Sequence, residues 1–386
     1  MNAEDYQARI ASLQQALRDS KIDAALVTDP DSIFYLSGYW GYASYLSCGR
    51  PNFLWIPTYD DPVIITPSME LEMCEALSAV SRVLHWIDGI DDEWRAPLRS
   101  LIDARGARHI ALESKQIPGE VSHFLAVAFP DIRRADLAGT LSDMRMVKSD
   151  EEIDIMRKAG QVALAMAKAG QDAIQLGVPE YEISLAAMTA GTRRAAALLD
   201  AHDQERFFSP MIHNLQIMQS GRDTCMVHRR PTTKVIAAGD PVYMCFCGIT
   251  VFKGYWLGFD REFFCQSVTD EQARTYEVCI AAQLAALNAI RPGVPAEEIH
   301  FAADEVYRQA GFAPTYRTGR GTGCSILEPP EIKAGNKMTI KKGMTFAIDG
   351  GITVPGDFGA RVGDSVVVTD NGFEYLTPYP KGLKVL

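Results

Sequence analysis

A chain of 386 residues, 47% of them apolar, can bury a large core and is long enough for two domains. Lys and Arg total 38 against 49 Asp and Glu, a formal charge of −11, and with no basic run to offset it this excludes a polyanion such as nucleic acid as the natural partner. The first ten residues are charged with no apolar segment behind them, and no stretch approaches the roughly 20 apolar residues of a membrane span.

Neither export nor a membrane partner is therefore expected. Eight cysteines (Cys48, Cys74, Cys225, Cys245, Cys247, Cys265, Cys279 and Cys324) lack the spacing of a disulfide framework. Reduced thiols and a cytoplasmic location follow as expectations.

Tyr6, Ile10, Leu13, Ala16 and Leu17 recur at helical spacing, and Ile22 to Val27 reads as a strand ending at Asp29-Pro30-Asp31. The alternation continues with a strand at Val63-Ile64-Ile65, a helix over 68–80, a strand from Val83 to Trp86, a helix near 91–104 and a strand at His109 to Leu112. This pattern predicts an α/β domain over residues 1–142. Ser149 followed three residues on by Glu152 forms a capping box that opens a long helix, placing a second domain over residues 143–386. Gly177-Val178-Pro179 and Gly293-Val294-Pro295, each followed by x-x-Glu-Ile, sit 116 residues apart at helix boundaries and point to two similar halves. Strands at 233–237, 241–252, 260–268, 344–354 and 364–369 would form an antiparallel sheet between the helix pairs.

Four segments in register carry a family resemblance. They are the helix start from Met146 to Ala159, Ala238 to Gly248 followed by Lys253 to Arg261, Gly319 to Gly323 with Glu328-Pro329-Pro330 behind it, and Lys341 to Gly351 with Arg361 to Gly372. Together they resemble the pita-bread superfamily of creatinase, prolidase and methionine aminopeptidase. The resemblance implies an N-terminal creatinase-like α/β domain and a C-terminal pita-bread domain with pseudo-twofold halves. It also implies two metal ions held by two Asp, one His and two Glu, but here those positions fall on Cys245, Gly258, Arg320, Asp349 and Gly363. Two glycines offer no donor and an arginine adds a cation, so no metal cofactor is expected.

Creatinase and ectoine hydrolase resemble this chain in lacking a metal pattern, and the likeness to creatinase places its catalytic histidine on His228 and two carboxylates on Asp260 and Asp349. Histidine titrates near neutrality and can activate water, while the carboxylates hold the imidazole or a cationic substrate group. Arg320 is a candidate substrate carboxylate clamp, with a salt bridge to Glu328 as the structural alternative. Trp256 is a candidate pocket wall. Arg50 resembles a creatinase arginine that reaches the neighbouring subunit's site. Five aromatics between Phe34 and Tyr42, read as a loop, support a homodimer with composite sites.

The expected activity is metal-independent hydrolysis of a non-peptide C–N bond (amidine, guanidine or amide) in a small zwitterionic compound. The alternatives are an Xaa-Pro dipeptidase-type metallopeptidase, a lyase, and a non-catalytic small-molecule-binding protein. Cys225-x-x-His228 and Cys245-x-Cys247 are fragments of zinc-like spacing without the four paired donors of a structural zinc site.

Overall fold

The computed structural model describes residues 3–42, 49–200, 205, 207–212, 217–247, 250–313 and 315–386. Cys48 lies outside them. The chain divides into two compact units, Met1–Arg145 and Met146–Leu386. No helix among the described residues is long and apolar enough to cross a membrane.

In the first unit a six-stranded mixed sheet runs in the order β4-β3-β2-β1-β5-β6. Its strands are β1 (Ala24–Val27), β2 (Phe53–Pro57), β3 (Val63–Pro67), β4 (Arg82–Trp86), β5 (His109–Leu112) and β6 (Arg133–Asp136). β1, β2 and β3 are buried along their whole length, which explains their unbroken apolar runs. The Arg95–Arg105 and Gly119–Ala128 helices bury Leu98, Leu101, Ile102, Val121, Phe124 and Leu125 in the same cluster as Phe53, Trp55 and Trp94. The helix expected over 68–80 is shorter, Leu71–Leu77 after a single 3-10 turn.

The aromatic segment differs from its expected form. Asp29 caps a helix at Pro30–Ser37 by accepting from the Ser32 amide, and Gly38 closes that helix in the left-handed region. Phe34, Tyr35 and Tyr39 are consequently core residues, while Tyr42 is exposed. Their aromatic character is explained by packing within this unit, which removes it as an argument for a dimer interface.

Below that helix Glu113 is a buried carboxyl that accepts from the Thr28 and Asp29 amides and from the Ser32 hydroxyl at 2.6 Å. Burial, then the charge of Asp29, pushes it up to about 7. An unfolded glutamate titrates near ~4.3, so the folded chain binds the extra proton between those values. Stability is then fully present at acid pH and is lost as pH rises through about 7. The chain's unfolding midpoint should fall over that window, and Glu113→Gln should flatten the fall in thermal unfolding scans.

The second unit repeats one motif. Ser149 caps the Asp150–Ala173 helix and Thr269 the Asp270–Ala289 helix, each with a complete capping box through Glu152 or Gln272. Each is followed by a left-handed glycine, Gly177 or Gly293, and a second helix, Glu180–Leu198 or Ala296–Gln309. The Gly177 amide donates to Ile236 and that of Ile236 to Val178, and Gly293, Ile340 and Val294 repeat the pattern. The recurring Gly-Val-Pro is thus the same hydrogen-bonded turn built twice. Around Val235 the expected strand reduces to one bridge to Pro179.

The helix pairs pack on an antiparallel sheet in the order β13-β12-β14-β15-β11-β8-β7, with β16 on β15. Its strands are β7 (Ile217–Ser220), β8 (Pro241–Cys245), β11 (Asp260–Phe264), β12 (Gly319–Gly321), β13 (Glu328–Ile332), β14 (Thr345–Val354), β15 (Phe358–Val368) and β16 (Phe373–Tyr375), while β9 (Val251–Phe252) and β10 (Tyr255–Trp256) form a separate hairpin.

Beneath the sheet centre Arg261 and Asp364, both essentially buried, are 2.6 Å apart. Arg261 also donates to the Asp260 and Gly363 carbonyls, and Lys381 meets the other Asp364 oxygen at 2.6 Å. Arg261 therefore fixes β11 to β15 from below. Asp364→Asn would strand the buried Arg261 and the partly buried Lys381 and should cost about 3–5 kcal/mol in denaturant unfolding.

Candidate functional site

Strand register assembles the site. Asp349 on β14 faces Gly363 on β15, Gly363 faces Asp260 on β11, and Asp260 faces Cys245 on β8. These four residues form one cross-sheet row, and side chains in such a row share a face. Gly363 contributes none, so the carboxylates on either side lean over it: a Cβ there would lie 2.8 Å from both Asp260 Oδ2 and Asp349 Oδ1. Arg320 on β12 pairs in register with Ala347, two residues before Asp349, and from this diagonal position its Nη1 donates to Asp349 Oδ2 at 2.9 Å. Cys247 follows Cys245 by two residues, and its thiol donates to Asp260 Oδ1 at 3.4 Å.

Arg320 is 7% exposed. Burial works against its charge, but Cys247, Asp349 and Asp260 together hold it above its ordinary range. Burial pushes Asp349 up to about 6; Arg320 opposes that shift and the Asp260 charge adds to it. Asp349 Oδ1 is buried and has no hydrogen-bond partner among the described residues. An unsatisfied carboxylate oxygen beside a second carboxylate is an acceptor for an incoming N–H or O–H group.

Asp260, Asp349 and Arg320 are therefore brought together as the sequence reading anticipates. Arg320 pairs with Asp349 and not with Glu328, whose carboxylate meets Lys148 in a separate buried pair at 2.7 Å. His228 stands exposed in the turn after the Gly221–Cys225 helix and makes no hydrogen bond to this group among the described residues. Trp256, half-buried on β10, donates its backbone amide to Gly323. Arg50 lies in the first unit, where its Nη2 meets Asp88 at 2.8 Å. Sequence reasoning passed over Cys247 as part of this cluster; its signal was the two-residue spacing from a strand residue already aligned with the site.

The five positions that would hold a dinuclear centre do not fit one. At Gly258 a Cβ would lie 2.4 Å from that of Ala347 and 3.0 Å from Arg320 Nη2, so the space for a ligand carboxylate is occupied by protein and faces a cation. At Gly363 the corresponding space is bounded by Asp260 and Asp349. A guanidinium among these carboxylates repels a pair of divalent ions instead of helping to ligate it.

Compared with known proteins, residues 154–370 match Metallopeptidase family M24 and residues 9–147 match the Creatinase/Prolidase N-terminal domain. An "Agropine synthesis cyclase" of Rhizobium rhizogenes is 31% identical, covering 99% of this chain and 98% of that protein. An "Xaa-Pro dipeptidase" of Lactobacillus helveticus is 29% identical over 97% of this chain and 98% of its own. The crystal structure of dipeptidase PepE from Mycobacterium ulcerans superposes with a TM-score of 0.83 at 27% identity, over 100% of this chain and 99% of that one. Relatives named as dipeptidases act on peptide bonds, and this overturns the expected class of hydrolase for non-peptide C–N bonds.

Equilibrium dialysis against manganese should leave well under one ion per chain, and two ions per chain would contradict the misfit at Gly258 and Gly363. Gly258→Ala, which must displace Ala347, should lower stability by about 1–3 kcal/mol in denaturant unfolding.

Proposed function

The chain belongs to metallopeptidase family M24, with a creatinase/prolidase N-terminal domain, and from that premise we propose that it acts on a small carboxyl-bearing compound without the family's dinuclear centre, by ring closure. The observation that carries this reading is the unpartnered Asp349 Oδ1 beside the Arg320 guanidinium. One group can accept a proton from an attacking hydroxyl or amine, and the other can stabilise negative charge on a carboxyl oxygen. Those are the two requirements for adding a nucleophile to a carboxyl carbon when no metal supplies them. The similarity to an agropine synthesis cyclase over nearly the full chain supports a reaction in which nucleophile and carboxyl belong to one molecule.

In the proposed step the attacking group gives its proton to Asp349 and adds to the carbon of the substrate's protonated carboxyl group, and the departing hydroxyl takes that proton back from Asp349, so that one water leaves. Arg320 holds the oxygen on which charge develops. Asp260 sets the local field that keeps Asp349 a receptive base. His228, Trp256 and Arg50 are left with no assigned step.

A second reading, an Xaa-Pro dipeptidase, is supported by the full-length similarity to the Lactobacillus helveticus enzyme. Mass spectrometry of a panel of hydroxy and amino carboxylic acid conjugates, screened for loss of one water, separates the two from Xaa-Pro dipeptides assayed with added manganese. Ring closure without metal, reduced about a hundredfold or more by Asp349→Asn and by Arg320→Gln, is the expected outcome. Dipeptide cleavage that requires manganese would replace this reading with the second.

A further inference from the structure

The family's donor set does not survive intact, but Cys245, at one of its positions, stands with two other donors. One donor atom each from Cys245, Cys247 and Asp260 lies within 4.8 Å of the other two. Cys247 Sγ is 3.4 Å from Asp260 Oδ1. Zinc bonds of about 2.3 Å to sulfur and about 2.0 Å to a carboxylate oxygen, at tetrahedral angles, set neighbouring donors roughly 3.5 Å apart. The observed sulfur-oxygen spacing is that of one edge of such a tetrahedron.

We infer that Cys245, Cys247 and Asp260 form a site for a single thiophilic divalent cation of the zinc or cadmium class. Two soft thiolates favour such ions over manganese or magnesium, which prefer all-oxygen cages. Cys245 and Asp260 are 3% and 6% exposed and face each other in register, so these two donors are already withdrawn from water and held by strand pairing, while Cys247 just beyond β8 is partly exposed. Charge balance favours one ion and disfavours two. Two thiolates and a carboxylate carry three negative charges, a divalent ion cancels two, and the one remaining faces Arg320, whose charge Cys247 and Asp260 already stabilise. Three protein ligands leave a fourth tetrahedral position for water. Asp260 belongs to both this site and the ring-closing reading, but cadmium binding is read without turnover, so the two can fail separately.

The probe is cadmium, titrated into metal-stripped, reduced protein while the ultraviolet charge-transfer absorption of thiolate-bound cadmium is followed. Saturation at one ion per chain, with affinity lowered about tenfold or more by Asp260→Asn and the absorption abolished by the Cys245→Ser/Cys247→Ser pair, is the expected result. A second measurement needs no substitution: cadmium should block iodoacetamide alkylation of Cys247 in wild-type protein, read by peptide mass spectrometry, while Cys225 stays reactive. No charge-transfer band in the wild type, a band that persists in the folded double variant, or unchanged alkylation of Cys247 would each overturn the inference. If the double variant does not fold, the alkylation experiment decides.

Discussion

The ion pair between Arg320 and Asp349 is the interaction on which the rest of the site depends. Two carboxylates leaning over one glycine would repel each other unless a cation stood close by. In the pattern that the family resemblance implies, divalent ions meet that need. Here a guanidinium does, attached to β12 and placed by strand register, 2.9 Å from Asp349. Because this cation is covalently part of the chain, it cannot carry an activated water. In the proposed ring closure the proton transfer falls to the carboxylate that Arg320 leaves half satisfied.

This arrangement needs a rigid floor. Arg261 supplies it by tying the Asp260 and Gly363 carbonyls together and pairing with Asp364, which Lys381 and Gln283 also contact. Gln283 donates to the Ile348 carbonyl as well, immediately before Asp349. Three strands that present site residues are thus fixed from the opposite face, with Asp364 held between Arg261 and the partly buried Lys381. The duplicated helix-turn-helix units cover that sheet.

Much of this was legible in the sequence. The capping box at Ser149, the repeated Gly-Val-Pro turns and the five altered positions are local signals, and each has its counterpart in the structure. Less legible was anything decided by pairing between distant strands. Arg320 could have met Glu328 eight residues on; it meets Asp349 because β12 lies beside β14, while Glu328 is taken by Lys148, 180 residues away. The aromatics from Phe34 to Tyr39 read as an interface loop because a short helix capped by Asp29 has too few turns to show its period. For His228, similarity fixed a position in the chain, but exposure is set by the turn that carries it.

Chemical rescue tests the central claim most directly. Arg320→Ala should leave a cavity bounded by carboxylates, and millimolar guanidinium should raise the thermal unfolding midpoint of this variant while leaving that of the wild type unchanged. Manganese should raise neither midpoint. A variant stabilised by manganese and indifferent to guanidinium would mean that the carboxylates still form a metal centre and that Arg320 merely obscures it.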